Sequence, residues 1–206
     1  MKKFTMAVAT ASLLSATAFA DSCASSFSGF YAGAQAGANS ATIQVKDKAT
    51  DTKGNLGGKG FVGGLFAGYG MGVGSCAYVG AELYLNLGNT NISQVDDTGV
   101  KSTLTIGYNY GAKARLGYTV SPQSMLFLGL GLERAKMSAK VDGESAGKKQ
   151  KISFAPSVGM DMFVNKNIFL RGEFTHVFGP KISEKDSDVT SKATQQRFTL
   201  GLGYKF

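Results

Sequence analysis

The sequence predicts an all-β fold, an eight-stranded antiparallel transmembrane β-barrel behind a cleaved signal peptide. Three observations carry this. At the carboxyl end Phe198, Leu200, Leu202, Tyr204 and Phe206 alternate with Arg197, Thr199, Gly201, Gly203 and Lys205, the period-two pattern of a strand with one apolar face. Seven earlier stretches alternate in the same way, separated by gaps that are by turns long and short. After the first twenty residues no run is long and apolar enough for a transmembrane helix, so a membrane span must be made of strands.

The chain opens with Lys2 and Lys3, an apolar run over residues 6–14, then Ser15-Ala16-Thr17-Ala18-Phe19-Ala20. A basic head, a short apolar core and an Ala-x-Ala end make a secretory signal peptide, cut between Ala20 and Asp21. The apolar run is too short for an uncleaved anchor. Cys23 makes a poor lipoprotein site, because no leucine stands just before it and Asp21 fits badly. The expected division is therefore a signal peptide over residues 1–20 and one barrel domain over residues 21–206. Glycine supplies 28 of 206 residues, nearly double the average of about 7%. Glycine recurring within alternating strands points to a tightly curved sheet with a crowded interior.

The formal charge is +8. A basic balance often means nucleic acid, but an exported protein seldom meets any, and the lysines cluster in the gaps between strands. No nucleic-acid partner is expected. Outer-membrane lipid and anionic lipopolysaccharide headgroups are the expected counter-charge.

The first strand, residues 29–39, sets Phe30 and four alanines against Tyr31, Gly33, Gln35, Gly37 and Asn39. A polar loop is expected over 41–59. The second strand, 60–70, carries Phe61, Leu65, Ala67 and Tyr69 on one face, and a short glycine turn follows. The third, 77–87, turns Val79, Ala81, Leu83, Leu85 and Leu87 outward and Tyr78, Gly80, Glu82, Tyr84 and Asn86 inward. A polar loop over 88–101 leads to the fourth, 103–120, where Lys113 and Arg115 oppose an apolar and aromatic face. Ser121-Pro122-Gln123-Ser124 forms a tight turn into a strand of alternating leucines, Leu126 to Leu132. A lysine-rich loop over 136–151 precedes the sixth strand, 152–164, in which Pro156 cannot donate a ladder bond and predicts a bulge. Asn165-Lys166-Asn167 turns into the seventh, 168–178, which sets Leu170, Phe174 and His176 against Arg171, Glu173 and Thr175. A fourth polar loop, 179–194, precedes the terminal strand. Long gaps at one end and short ones at the other match the loop asymmetry of outer-membrane barrels, with both termini periplasmic.

Gly29-Phe30-Tyr31-Ala32-Gly33, Gly68-Tyr69-Gly70, Arg171-Gly172-Glu173-Phe174 and the terminal strand together give a resemblance. The chain resembles the small outer-membrane β-barrel family, OmpA-like and opacity-type "porin family" surface proteins, over essentially all of residues 21–206. Thr199, Gly201, Tyr204 and Phe206 fill the four defined positions of what looks like the signal read by the barrel-assembly machinery. The resemblance implies a surface protein with exposed loops, among relatives that include adhesins and haem binders. The sequence stops at Phe206, so the peptidoglycan-binding domain of full-length OmpA is expected to be missing.

Nine charges carry inward parity: Glu82, Lys113, Arg115, Glu133, Asp161, Arg171, Glu173, Arg197 and Lys205. Side chains just fill an eight-stranded interior, so these charges must pair with one another. They read either as a satisfied core that closes the lumen, the preferred reading, or as a gated narrow ion path. Cys23 and Cys76 are the two cysteines. Export places them where disulfides form, and a bridge joining them at the periplasmic rim would be worth about 4 kcal/mol in the chain-entropy account.

No enzyme, cofactor or metal is expected. His176 is followed by Val177 and Phe178, without the serine that lipid A-modifying barrels carry two positions on. Gly58-Lys59-Gly60-Phe61-Val62-Gly63 spells a dinucleotide fingerprint but precedes a strand where the mechanism needs a helix. Asp96, Asp97, Asp186 and Asp188 lie in polar loops without a ligand spacing. The expected function is a surface protein with a structural role in the envelope and loops for adhesion or ligand capture, from a host surface or a small molecule; the alternative is a narrow ion-conducting channel. A soluble lipocalin-type barrel fails, because the outward leucine and aromatic bands would form a very large exposed apolar patch.

Overall fold

A computed structural model of the chain describes residues 26–47, 52–88, 90–95, 101–141, 144–183 and 189–206, with side chains over 26–42, 57–88, 107–136, 152–179 and 194–206. The expected signal peptide, Asp21 and Cys23 lie outside these residues, as do Asp96, Asp97, Asp186 and Asp188.

Nine strand segments follow in order: β1 (Gly29–Asp47), β2 (Thr52–Val73), β3 (Ala77–Gly88), β4 (Thr90–Val95), β5 (Lys101–Ser121), β6 (Ser124–Val141), β7 (Glu144–Phe163), β8 (Ile168–Ser183) and β9 (Val189–Lys205). Each pairs antiparallel with its neighbours in the order β3-β2-β1-β9-β8-β7-β6-β5-β4, and a further β3–β5 pairing closes the ring. Segments β3 and β4 lie successively along β5, opposite residues 118–109 and 106–101, so they share one position in the wall. The wall is thus a closed barrel of eight strand positions.

The parity read from the sequence sets the two faces. Phe30, Phe61, Leu65, Leu83, Leu128, Leu200 and Phe206 are exposed outward, while Tyr31, Phe66, Tyr84, Phe127 and Phe169 are buried in the lumen. At one end the connections are short. Gly74, at φ +64°, takes the left-handed conformation in the β2–β3 turn, where a side chain is costly. Asn165 Oδ1 accepts from the backbone N–H of Asn167 (2.9 Å) and Ile168 (2.8 Å) in the β7–β8 turn, the local bonding that favours asparagine in turns.

Two expectations change. The stretches expected as loops over 41–59, 136–151 and 179–194 are largely hairpin: β1 and β2 stay paired to Asp47 and Thr52, β6 and β7 to Val141 and Glu144, β8 and β9 to Ser183 and Thr190. In 88–101, β4 continues the wall. Apolar alternation ends where lipid ends, yet the hydrogen-bond ladder needs no apolar face to continue. Pro156 makes no bulge: Leu130 stays opposite it, and the β7–β8 register is the same at Phe154 and Ser157. The irregularities fall between Ile106 and Asn109, Thr119 and Ser121, Ala139 and Lys140, and Phe178 and Lys181. Cys76 lies in the β2–β3 turn; its bridge to Cys23 stands as a proposal.

The crowded interior expected from the glycine content is visible at Gly68. A Cβ there would lie 2.5 Å from Tyr31 Oη and 2.6 Å from the Ala81 carbonyl oxygen. Gly68→Ala is therefore expected to destabilise the folded barrel by about 1–3 kcal/mol, as overpacking does. Urea unfolding of the refolded protein checks this, with Gly63→Ala as the contrast, since a Cβ at Gly63 comes no nearer than 3.8 Å to Gln35 O.

Candidate functional site: the charged lumen

The lumen is built in layers from the short-turn end upward. Its floor is aromatic. Phe27, from the segment before β1, packs with Tyr78, Met125 and Phe163, its ring 4.8 Å from that of Phe163. Lys205 Nζ donates to the Ser26 carbonyl at 2.8 Å, and the Gly72 N–H donates to Ser28 Oγ at 2.9 Å. The lead-in thus folds beneath the barrel and pushes Phe27 into its mouth.

Above the floor lies an ion network. Asp161 and Arg171 face each other on β7 and β8, and Arg171 grips Asp161 with two bonds, Nε to Oδ1 at 2.8 Å and Nη2 to Oδ2 at 3.0 Å. This fork geometry suits a guanidinium and a carboxylate. Arg171 Nη1 also reaches Glu82 Oε2 at 2.6 Å. Arg115 Nη2 reaches Asp161 Oδ2 at 2.7 Å, and its Nη1 lies 3.5 Å from Glu82 Oε2. Tyr31 Oη donates to Glu82 at 2.9 Å and accepts from Arg115 Nη1 at 3.1 Å. Aromatic faces enclose the layer, with Arg115 Cζ 3.8 Å from the Phe127 ring centroid and Arg171 Cζ 4.2 Å from that of Phe66.

Lys113 bridges this layer to the next, reaching Glu82 Oε1 at 3.0 Å and pairing closely with Glu173. Farther up, Arg197 Nη2 meets Glu133 Oε1 at 3.2 Å, and Tyr84 Oη donates to Glu133 at 3.1 Å. Gln35, Asn86 and Asn109 then form an amide chain, with bonds of 2.7 and 3.0 Å.

Eight of the nine inward charges are buried here, between 1% and 8% exposed. Lys205 differs. It is half-buried at the floor and gives its hydrogen bond to a backbone oxygen rather than to a carboxylate. The charges do not pair one to one, since Glu82 serves three cations and Asp161 serves two. Sequence reasoning left out Tyr31, Tyr84 and Phe27 as site residues. The two tyrosines carried a signal, an inward-parity aromatic facing glycine-rich strands; Phe27, outside any alternating stretch, carried none.

Among the described residues the lumen holds two small cavities of about 10 Å³ each. One lies among Tyr84, Lys113, Ser157, Glu173, Arg197 and Thr199, and the other lies at the floor beside Phe27, Asp161 and Lys205. That volume holds about one water molecule. The four residues expected to form the assembly signal divide by face: Thr199 and Gly201 are buried inward, while Tyr204 and Phe206 stand outward with rings 5.1 Å apart. His176 lies on the outward face against Phe178, ring centroids 4.5 Å apart.

A family model described as an outer membrane protein beta-barrel domain matches residues 6–206. Among solved structures, neisserial surface protein A (NspA) shares 19% identity at a TM-score of 0.52, over 87% of this chain and 98% of that one. The outer membrane protein OprG from Pseudomonas aeruginosa shares 13% identity at a TM-score of 0.52, over 90% and 99%. No curated protein sequence matches the chain.

The network predicts which pairs can be removed together. Glu133 and Arg197 form the self-contained pair, so each of Glu133→Gln and Arg197→Met is expected to cost about 3–5 kcal/mol by stranding a charge, with the double variant recovering most of the loss. Glu82→Gln with Arg115→Met is expected to recover little, because Lys113, Arg171 and Asp161 each still lose a partner. Double-mutant cycles on urea unfolding of the refolded barrel measure both couplings.

Proposed function

The chain belongs to the outer membrane protein beta-barrel domain family, and from that premise we propose that it is a plugged surface protein of the bacterial outer membrane. It strengthens the envelope and presents its long hairpins outside for adhesion or ligand capture. The observation that carries this reading is the filled lumen, where paired charges over an aromatic floor leave cavities of about 10 Å³. An anchor that conducts nothing does its work at its ends.

The long hairpins then face outward and the short turns face the periplasm, after export on the signal peptide of residues 1–20. The outer hairpins carry the lysines that would meet an anionic surface, Lys46, Lys48 and Lys53 in the first and Lys140, Lys148, Lys149 and Lys151 in the third. Lipopolysaccharide and an anionic host surface or small ligand are the proposed outer partners. The barrel-assembly machinery, reading Thr199, Gly201, Tyr204 and Phe206, is the proposed inner one. No catalytic role is proposed: His176 packs on Phe178 on the lipid-facing wall.

Two measurements test the reading. Residues 21–206, refolded into a planar bilayer with folding shown by heat-modifiable gel mobility, are expected to be silent. Discrete salt-dependent steps that change with Arg197→Met or Glu133→Gln would establish the narrow channel instead. Bacteria displaying the chain are expected to attach to cultured cells through its hairpins; unchanged attachment after trimming both residues 46–53 and 140–149 would remove the adhesion role.

A further inference from the structure

The outward wall is not uniform, and its outer half holds a groove of about 750 Å³. The register shows how it is made. Ala38 on β1 lies directly between Phe61 on β2 and Phe198 on β9, which are 85% and 52% exposed. Strands lie about 4.8 Å apart, so the two rings rise from positions about 10 Å apart with only a methyl group between them. One rung toward the hairpins, Ser40 lies between Lys59 and Gln196 in the same way. The slot therefore has aromatic walls, an alanine floor and a mouth of cation, amide and hydroxyl.

Charge on the wall fixes the sign of what the mouth would take. Every Asp and Glu side chain described, Glu82, Glu133, Asp161 and Glu173, faces the lumen. The described cations on the outward face of the strands are Lys59, Arg134 and Lys136, all on the hairpin side of the barrel. Around the short turns the outward face carries Met71, Val73, Tyr118, Val120, Met162 and Tyr204. An anionic head at the hairpin end and an apolar chain toward the middle of the wall fit this arrangement; the opposite orientation does not.

We propose that this groove is a binding site for a phosphorylated, acylated glycolipid of the outer leaflet. One acyl chain lies over Ala38 between Phe61 and Phe198, and a phosphate sits at Lys59, Ser40 and Gln196. Removing an acyl chain from a fluid bilayer into a walled slot gains nothing from hydrophobicity alone, since both places are apolar. The affinity comes from packing against the two rings and from the charge-assisted bonds at the mouth. The inference rests on the orientation proposed above, which puts Lys59 in the outer leaflet.

The test uses protein exported by cells, extracted from the outer membrane in mild detergent and examined by native mass spectrometry. Wild type is expected to retain the glycolipid, and after delipidation to regain added lipid A in preference to phosphatidylglycerol. Ala38→Leu, which fills the slot, and Lys59→Glu, which reverses the mouth, are each expected to lower lipid A retention roughly tenfold. Lys166→Glu, in a turn at the far end, is expected to leave it unchanged. Retention that survives Lys59→Glu overturns the site, as does equal retention of phosphatidylglycerol or a dimer in place of the lipid adduct. If Ala38→Leu fails to fold, Lys59→Glu decides alone. An impermeant thiol label on Lys48→Cys in intact cells reports the orientation separately, so a misplaced barrel is distinguished from an empty groove.

Discussion

Every backbone N–H and C=O inside a bilayer must find its partner within the protein, because lipid offers none. For strands this requirement has one solution, a ring without an edge. Here the ring closes through the β3–β5 pairing, with Ala77 to Asn86 opposite Tyr118 to Asn109. The ends are stitched just as closely: the Phe206 N–H donates to the Phe30 carbonyl at 2.9 Å, and the Lys205 N–H to the Asn167 carbonyl at 2.7 Å. Closure then decides the rest. It sends alternate side chains into a lumen of fixed width and leaves the others against lipid.

A lumen of eight strand positions is just wide enough for side chains to fill, and this chain fills it with charge. Burying a charge is costly unless it is paired and hydrogen-bonded. The register arranges that locally: Asp161 faces Arg171 across β7–β8, and Glu82 faces Lys113 across β3–β5. The width of the lumen does the remainder. Arg171 crosses from β8 to Glu82 on β3, and Arg115 crosses from β5 to Asp161 on β7. These crossings tie non-adjacent strands together, which no backbone ladder can do. The polar core therefore braces the ring from inside. Glycine makes room for it, since the walls beside Tyr31 and Phe169 leave no space for a Cβ at Gly68 or Gly203.

Facing was legible from sequence because period two is a geometric consequence of the strand, independent of its neighbours. Glu82, Arg115 and Arg171 could be assigned to the lumen without knowing any register. Their partners could not. Pairing across the lumen depends on the stagger between strands that are distant in sequence, and one residue of slip changes every meeting. Parity alone therefore could not say that Glu82 lies closer to Arg171 and Lys113 than to Arg115. The ends of the strands were illegible for a different reason. Beyond the bilayer both faces of a hairpin meet water, the apolar signal stops, and paired residues such as Gln44 and Asn55 look like loop. Phe27 was hidden because a plug needs a single side chain at one height, and a single side chain has no period.

The two surfaces of the wall obey different rules. Inside, each charge depends on particular partners, so the interior can hold little beyond itself. Outside, lipid asks only for apolar area, and Leu83, Leu128 or Leu200 could exchange for another large apolar residue at little cost. Departures from that generic outer surface therefore need a specific cause. Lys59, Arg134 and Lys136 are such departures, as is the slot between Phe61 and Phe198. So are the hairpins, which continue pairing past the point where the membrane requires it. A second groove, of about 730 Å³ over Ala32, Ala67 and Ala81, lies nearer the short turns, so it is the cations and the hairpins that single out one end.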